Sequence, residues 1–436
     1  MARLADRIVG PGRAISGNIE EQATMAEAAS PYKAPKRYHY AYPEMGSGPV
    51  SIEPYISPEY FELEKARVFK KVWLYACRVE QLQNPGDFLV KDLLVCDTSV
   101  VLVRNANGEI RGFHNMCSHR GNKIAYDQCG NASAFACGFH GWSYSLDGEL
   151  TFVPDEDNYF DIDKKDLGLS PVQVDVWEGF VFVNVDPDPA ETLQAYLGEL
   201  GAGLHGYPFT ELSGKVHRFE TVVNANWKLV KDAFQEVCHT PYQHRRSLPD
   251  AYRNNDNPYT RLIDIAVVGH HGRASLFGNM AHQPSPVAAH AYAHGSTIVS
   301  AALGQEGSPE TAPPGVNPTD SPDWSFELQV FFPSFFLAVA RGSYFSHQFL
   351  PLAVDKTLWQ SMICYPEPDT LAEQFSQEYS RVMFRDIMCE DGRQIEETQS
   401  MLKSGAKQHF VLKDEELLVR QGLYEVEQMI AASGAE

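Results

Sequence analysis

Cysteine is scarce in this sequence, with eight in 436 residues and no regular spacing. Disulfide-stapled secreted domains are much denser in cysteine, so cysteines clustered beside histidines point to metal instead. Long apolar runs are missing as well. The longest uncharged apolar stretch, Val330 to Ala340, is eleven residues and is interrupted by Pro333 and Ser334, too short to cross a bilayer. Positive charge is in deficit: 36 Lys and Arg stand against 57 Asp and Glu, a formal net charge of −21. That excludes the concentrated basic surface a nucleic-acid backbone requires. The opening residues MARLADRIVGPGRA contain no apolar core of signal-peptide length, so the expectation is a cytoplasmic protein with neither membrane nor nucleic acid as partner.

What is present reads as a soluble chain of more than one domain. Residues 1–54 are mostly polar and rich in Gly, Pro and Ala, an arm without a core of its own; beyond it a short helix is expected from Pro58 to Val72. Residues 55–185 are strand-rich: Asp87–Val90, Ser99–Arg104, Ile110–His114, Ala134–Gly138, Trp142–Ser145, Val172–Val176 and Gly179–Val185 are separated by turn signals such as Asn107-Gly108 and Asp147-Gly148. After the Pro-rich linker Asp186–Ala190, residues 186–436 alternate long strands (Gly214–Val223, Phe326–Phe332, Phe335–Ala340, Thr357–Tyr365) with helices, the clearest being Trp227–His239 and Leu371–Leu402. The stretch 280–325 reads as loop.

Two constellations carry chemistry. In the first, Cys117-x-His119 is followed after seventeen residues by Cys137-x-x-His140, with Gly121, Gly138 and Gly141 alongside. Two thiolates and two imidazoles from two tight loops suit an iron–sulfur cluster, the imidazoles leaving their iron more easily reduced. A structural zinc is the alternative, although a Cys-x-His pair is shorter than the usual zinc spacing. In the second, NANWKLVKDAFQEVCHTPYQH contains Glu236-x-x-His239-x4-His244. Two histidines and a carboxylate on one face of ferrous iron leave positions open for dioxygen; the carboxylate is Glu236 or a residue from elsewhere. Asp232, one turn earlier, is either a hydrogen-bonding partner within the site or a solvated helix residue.

The text CSHRGN…CGFHGWSY, followed about a hundred residues later by Glu236-x-x-His239-x4-His244, resembles the α (catalytic) subunit of Rieske non-haem iron aromatic-ring-hydroxylating oxygenases over about residues 55–420. The resemblance implies an α+β architecture: a small β-rich Rieske [2Fe-2S] domain, and a larger antiparallel sheet covered by helices (helix-grip, START-like) around a mononuclear Fe(II). It implies that Cys117, His119, Cys137 and His140 hold the cluster, that His239 and His244 hold the iron, and that Glu236 bridges the two centres between neighbouring subunits. The family's C-terminal motif E-D-x4-E-x2-Q stands here as Glu390-Asp391-x4-Glu396-x2-Gln399. It makes Asp391 the third iron ligand, with Asp386 as the alternative register. The bridge is Asp in many members and Glu here, and the residue before the first histidine is commonly Tyr but here is Cys238.

The resemblance further implies a homotrimer, with or without a small β subunit, fed by a ferredoxin or flavin reductase that draws on NAD(P)H, and an aromatic substrate that is hydroxylated, cis-dihydroxylated or oxidatively dealkylated. Phe332, Phe335, Phe336 and Leu337 are the candidates for the substrate pocket, and Arg120, Lys123 and Lys70-Lys71 for the donor's docking surface. Two other classes bear on the same residues: a zinc hydrolase with Glu236 as base, and a non-catalytic ligand-binding protein with a structural metal site.

Overall fold

The computed structural model describes residues 36–295 and 307–432; the first 35 residues of the expected arm and part of the expected 280–325 loop lie outside these. Among the described residues the strands assort into two seven-stranded antiparallel sheets and two small ones, of three strands and of two (Val50–Ser51 with His409–Phe410). The first sheet uses β1 (Leu74–Arg78), β2 (Asp87–Leu93), β3 (Thr98–Arg104), β4 (Ile110–His114), β5 (Cys129–Asn131), β9 (Pro171–Trp177) and β10 (Phe180–Asn184), in the order β1-β10-β9-β4-β3-β2-β5. Beside it lies a three-stranded sheet of β6 (Phe135–Ala136), β7 (Ser143–Tyr144) and β8 (Leu150–Phe152).

The second large sheet uses β11 (Lys215–Val223), β12 (Asp264–Val268), β13 (His271–Phe277), β14 (Trp324–Phe331), β15 (Phe335–Ala340), β16 (Ser343–Ala353) and β17 (Lys356–Tyr365), in the order β11-β17-β16-β15-β14-β13-β12. Helices α1 (Leu193–Gly203), α2 (Trp227–Asp232), α3 (Thr240–Gln243), α4 (Pro286–Ala293), α5 (Leu371–Leu402) and α6 (Leu417–Ala432) accompany it. This is the expected α+β arrangement of a small β-rich region and a helix-covered antiparallel sheet. Helix α5 opens on a capping box: Thr370 Oγ1 accepts from the Glu373 N–H, while the Glu373 carboxylate accepts from the Thr370 N–H.

The second sheet is buried on both faces, and strand alternation decides which core each residue enters. Along β15, Phe335, Leu337 and Val339 join the core shared with β1 and β10 of the first sheet, whereas Phe336, Ala338 and Ala340 join the core under α5. The pocket expectation is corrected accordingly. Phe332, Phe335 and Leu337 belong to the first of these cores, Phe335 stacking on Tyr75 at 4.3 Å between ring centroids. Only Phe336 of the four faces the other way, into the cavity described below.

Three further expectations change. The helix from Trp227 ends at Asp232, where the chain tightens into i→i−3 turns (Phe234 N–H to Lys231 O, Gln235 N–H to Asp232 O). Past that turn Pro241 helps open a further short helix, α3, which the sequence reading did not include. The proline sits within the first two positions of α3, where a missing N–H has no intrahelical acceptor to lose. Strand β16 went unread because Ser343, Ser346, His347 and Gln348 are all buried in it, breaking the apolar pattern.

Candidate functional site

The two cysteine–histidine loops are built alike. In one, the Cys117 N–H donates to Asn122 O and the Gly121 N–H to Cys117 O; in the other, the Cys137 N–H donates to Trp142 O and the Gly141 N–H to Cys137 O. Gly121 and Gly141 have φ of 74° and 76°, left-handed values a side chain would resist. The result is a pair of matching hooks presenting Cys117 with His119 and Cys137 with His140. The two thiols are buried, and the rings of His119 and His140 lie 4.5 Å apart. The Tyr144 hydroxyl lies 3.2 Å from Cys117 Sγ and accepts the Ser118 N–H.

Burial opposes ionisation of Cys137, but the N–H of Phe139, the Asn122 amide and Cys117 win and bring its thiol below the usual value, as a metal thiolate requires. Burial, with His140 and Arg120 nearby, holds His119 below the ordinary imidazole value, so it is neutral. His119 Nδ1 is buried and has no hydrogen-bond partner. A buried nitrogen with a free lone pair beside two thiols fits the cluster, since an orphaned polar atom is otherwise costly. Around this tip Phe139, Tyr126 and Met116 are exposed, and Arg120 lies 5.6 Å over the Phe139 ring. Lys123, Lys70 and Lys71 are paired with Asp92, Asp97 and Asp186.

The second constellation is assembled by the turn 233–239, α3 and α5. His239 caps the start of α3 and His244 its end, so four helical residues turn both imidazoles toward one point. Asp391 enters from α5. Phe384, Met388, Ile395, Gln399 and Leu402 mark that helix's buried stripe, and Asp391 falls on it at the 3.6-residue period. Asp386 falls off the stripe, half exposed and paired with Arg385. Ligand atoms of His239, His244 and Asp391 all lie within 4.8 Å of one another.

The outer partners decide what these nitrogens can do. His239 Nδ1 is 2.5 Å from Glu236 Oε1, and His244 Nδ1 is 2.7 Å from Glu390 Oε2. A carboxylate is an acceptor, so each imidazole carries its proton on Nδ1 and points a lone pair out through Nε2. Those two Nε2 atoms face each other at 3.2 Å, and Asp391 Oδ1 is 3.1 Å from one and 3.8 Å from the other. Three acceptors converging on one point repel one another unless a cation lies between them. The donor set, two imidazoles and one carboxylate, fits ferrous iron with positions left open.

Glu236 itself lies outside the three converging acceptors. Its second oxygen accepts the Cys238 S–H at 2.6 Å. Burial opposes the ionisation of Glu236, yet the His239 partner prevails and lowers it; burial likewise works against His239, and Glu236 prevails and raises it. Asp232 is not a solvated helix residue. It accepts the Tyr55 hydroxyl at 2.6 Å, and burial pushes its carboxyl up to about 6. Three contributors were given no role from the sequence: Glu390, which also accepts from the Ser247 hydroxyl; Gln243, which donates to Asp391; and His347. Glu390 stands next to Asp391, and that adjacency was the available signal. The other motif residues tie α5 down, Glu396 accepting from Asn224 and Gln399 from the Asn226 N–H.

The three converging acceptors border a cavity of about 90 Å³ whose other walls include Phe234, Phe336, Phe345, Phe384 and Leu328. An aromatic-lined cavity bordering a metal-type triad suits a small apolar molecule.

Residues 72–175 match the family model of the Rieske [2Fe-2S] domain, and residues 209–432, just over half of the chain, match that of the ring hydroxylating alpha subunit (catalytic domain). The chain belongs to this family of ring-hydroxylating alpha subunits. Among curated relatives, the 2-aminobenzenesulfonate 2,3-dioxygenase subunit alpha of Alcaligenes sp. is 36% identical over 191 residues, covering 42% of this chain and 47% of that protein. The chloroplastic choline monooxygenase of Spinacia oleracea is 29% identical over 218 residues, covering 49% and 48%. The chain thus spans about half the length of the curated relatives it matches. Among solved structures, naphthalene 1,2-dioxygenase from Rhodococcus sp. bound to indole superposes with a TM-score of 0.70 at 20% identity, covering 91% of this chain and 97% of that one. The quaternary ammonium Rieske monooxygenase CntA gives 0.67 at 20% identity, covering 90% and 98%. These structures share the fold. No helix among the described residues is long and apolar enough to cross a membrane.

Proposed function

We propose that this chain is the terminal oxygenase of a Rieske non-haem iron system, which hydroxylates, cis-dihydroxylates or oxidatively dealkylates a small aromatic molecule. The observation that carries this reading is the convergence of two His Nε2 lone pairs and Asp391 on one point at the wall of an aromatic cavity. In this reading residues 55–185 are the cluster domain and 186–436 the catalytic domain. Cys117, His119, Cys137 and His140 hold the [2Fe-2S] cluster; His239, His244 and Asp391 hold the iron. When bound, the cluster supplies single electrons and the iron supplies the redox chemistry that activates dioxygen.

The chain's own residues do the rest. Glu236 and Glu390 hold the Nδ1 protons of His239 and His244, fixing both rings and leaving each Nε2 as a donor atom. Phe234, Phe336, Phe345 and Phe384 exclude water and hold the ring of the substrate. In a ring of three copies, with or without a small β subunit, Glu236 also accepts an N–H from the neighbouring copy's His140. One carboxylate then joins two imidazoles and provides a hydrogen-bonded path for electrons between them. The cluster tip, with exposed Phe139, Tyr126 and Met116 around Arg120, suits docking of another protein surface, whether the neighbouring copy or a ferredoxin or flavin reductase drawing on NAD(P)H. The working compartment is the cytoplasm.

The test is anaerobic reduction of the purified protein, then oxygen and a panel of aromatic compounds, with products followed by mass and by isotope-labelled oxygen. A red-brown protein that places labelled oxygen in a product, or releases a dealkylated one, supports the reading. A colourless, zinc-loaded protein that hydrolyses esters or amides overturns it.

A further inference from the structure

His347 lies in the middle of β16, buried at 1% exposure, and its ring forms part of the cavity wall contributed by the sheet. Phe384 stacks on one face, 3° from parallel at 5.6 Å between centroids, and Phe234 packs at 4.6 Å. Trp359 and Ser361 on the neighbouring strand β17 both reach its Nδ1, the indole Nε1 at 3.1 Å and the hydroxyl Oγ at 2.7 Å.

An indole N–H can only donate, and a serine hydroxyl can turn to donate. The proton placement that satisfies both is an unprotonated Nδ1 accepting from them. A proton on Nδ1 would face the Trp359 N–H head-on and strand that buried donor. The hydrogen of the neutral ring is therefore on Nε2, which makes no hydrogen bond among the described residues. Burial holds this imidazole far below its ordinary value, at about 3, so it stays neutral. The remaining polar groups on the wall are engaged: Thr240 with Val237 O, Tyr252 with Ser325, and the rest in the metal-type triad and its partners. Among the described residues no Lys or Arg lines the cavity.

Resting on the oxygenase reading, we infer that His347 is a specificity-determining residue that presents a fixed Nε2–H to the substrate. The substrate class is then a neutral aromatic compound carrying a hydrogen-bond acceptor, such as a carbonyl or ether oxygen. Without an acceptor, binding leaves a dry N–H unpaired, and sites built this way reject analogues that lack the group. A carboxylate or sulfonate finds no Lys or Arg among the described lining residues to offset its desolvation at the sheet end of the cavity. His347 also sets orientation: it anchors one end of the molecule to the sheet while the triad approaches from the segments that cover the sheet.

The test measures binding anaerobically to the holoenzyme by calorimetry, so that it does not depend on turnover. The probes are acetophenone and α-methylstyrene, which have nearly the same shape and differ in the acceptor, with benzoate and phenyltrimethylammonium as charged counterparts. Wild type should bind acetophenone about tenfold tighter than α-methylstyrene, the ratio one hydrogen bond supports. In His347→Phe the ratio should fall to within about twofold, whereas His347→Gln, which keeps an N–H donor, should retain most of it. Equal affinities in wild type, a ratio that survives in His347→Phe, or tighter binding of either charged probe would overturn the assignment. Should His347→Phe not fold, the wild-type ratio and the Gln variant decide the matter. Oxygen and electrons are then supplied to the acetophenone complex. Absence of any oxidation with the binding ratio intact counts against the oxygenase reading and not against the role of His347.

Discussion

The cluster tip and the iron-type triad solve the same problem, holding a metal with protein side chains, in opposite ways. The tip takes its four residues from two local loops with the same backbone hydrogen bonds, each closed by a glycine at positive φ. It keeps both thiols buried but leaves apolar side chains exposed around them. The triad takes two histidines from either end of one helical turn and an aspartate from a 32-residue helix far along the chain. It lies against an aromatic cavity, and carboxylates outside the triad fix its rings. The tip exposes apolar side chains around its buried thiols, whereas His244 and Asp391 of the triad are buried and His239 is partly so.

If the two regions are independent binding sites, each can be emptied alone. Cys117→Ser should abolish the visible absorbance of the cluster and all turnover, because a ligand is lost where no spare stands nearby. Asp391→Ala should leave that spectrum intact while the iron content drops from about three atoms per chain to about two. Loss of the cluster spectrum in Asp391→Ala would break the comparison, as would iron loss in Asp386→Ala without it in Asp391→Ala.

Glu236→Gln sharpens the comparison by addressing what joins the regions. Both metals should remain, because Glu236 holds a ring and is not one of the three converging acceptors. Reoxidation of the reduced cluster on adding substrate and oxygen should slow by orders of magnitude in stopped-flow absorbance. Hydrogen peroxide supplied directly should restore some product. Iron loss in this variant would make Glu236 a ligand.

A smaller effect is expected from Glu390→Gln, which weakens the acceptor that orients His244. Iron affinity should fall about 10- to 100-fold, the usual cost of losing such a partner, with no change in the cluster spectrum; metal competition with a chelator reads this out. At the tip, Tyr144→Phe removes the hydroxyl that contacts Cys117 Sγ and accepts from Ser118. The cluster should still assemble, but its reduction potential should fall as the sulfur loses a polar neighbour. Stability should drop by about 1 kcal/mol in urea unfolding, the typical net worth of a hydrogen bond. An unchanged potential would mean that the hydroxyl serves only the backbone.

Much of this protein was legible in its residues because the physics involved is local. The cluster loops could be read because a tight turn, its glycine and its ligands all fall within six residues, and strands such as β4 and β15 because their turns and apolar runs are contiguous. Helix α5 was read end to end from its contiguous helical pattern. Other features depended on distant partners. Nothing within residues 227–239 says that the helix stops at Asp232, since the competing turns are stabilised by contacts such as Gln235 with Leu418 O. The buried polar residues of β16 concealed a central strand. The motif put Asp391 of α5 ahead of Asp386, and only the packed helix adds that Asp391 lies on the stripe that faces inward. Which of two adjacent phenylalanines on β15 sees the cavity is set by the sheet's two faces, and Phe335 and Phe336 differ there by one residue of register. The proton on His347 depends on an indole one strand away. The residues proposed as ligands could therefore be named from the chain itself. Which atoms of those ligands are free, and what shape of molecule they meet, was decided only when remote carboxylates, strands and aromatic rings packed around them.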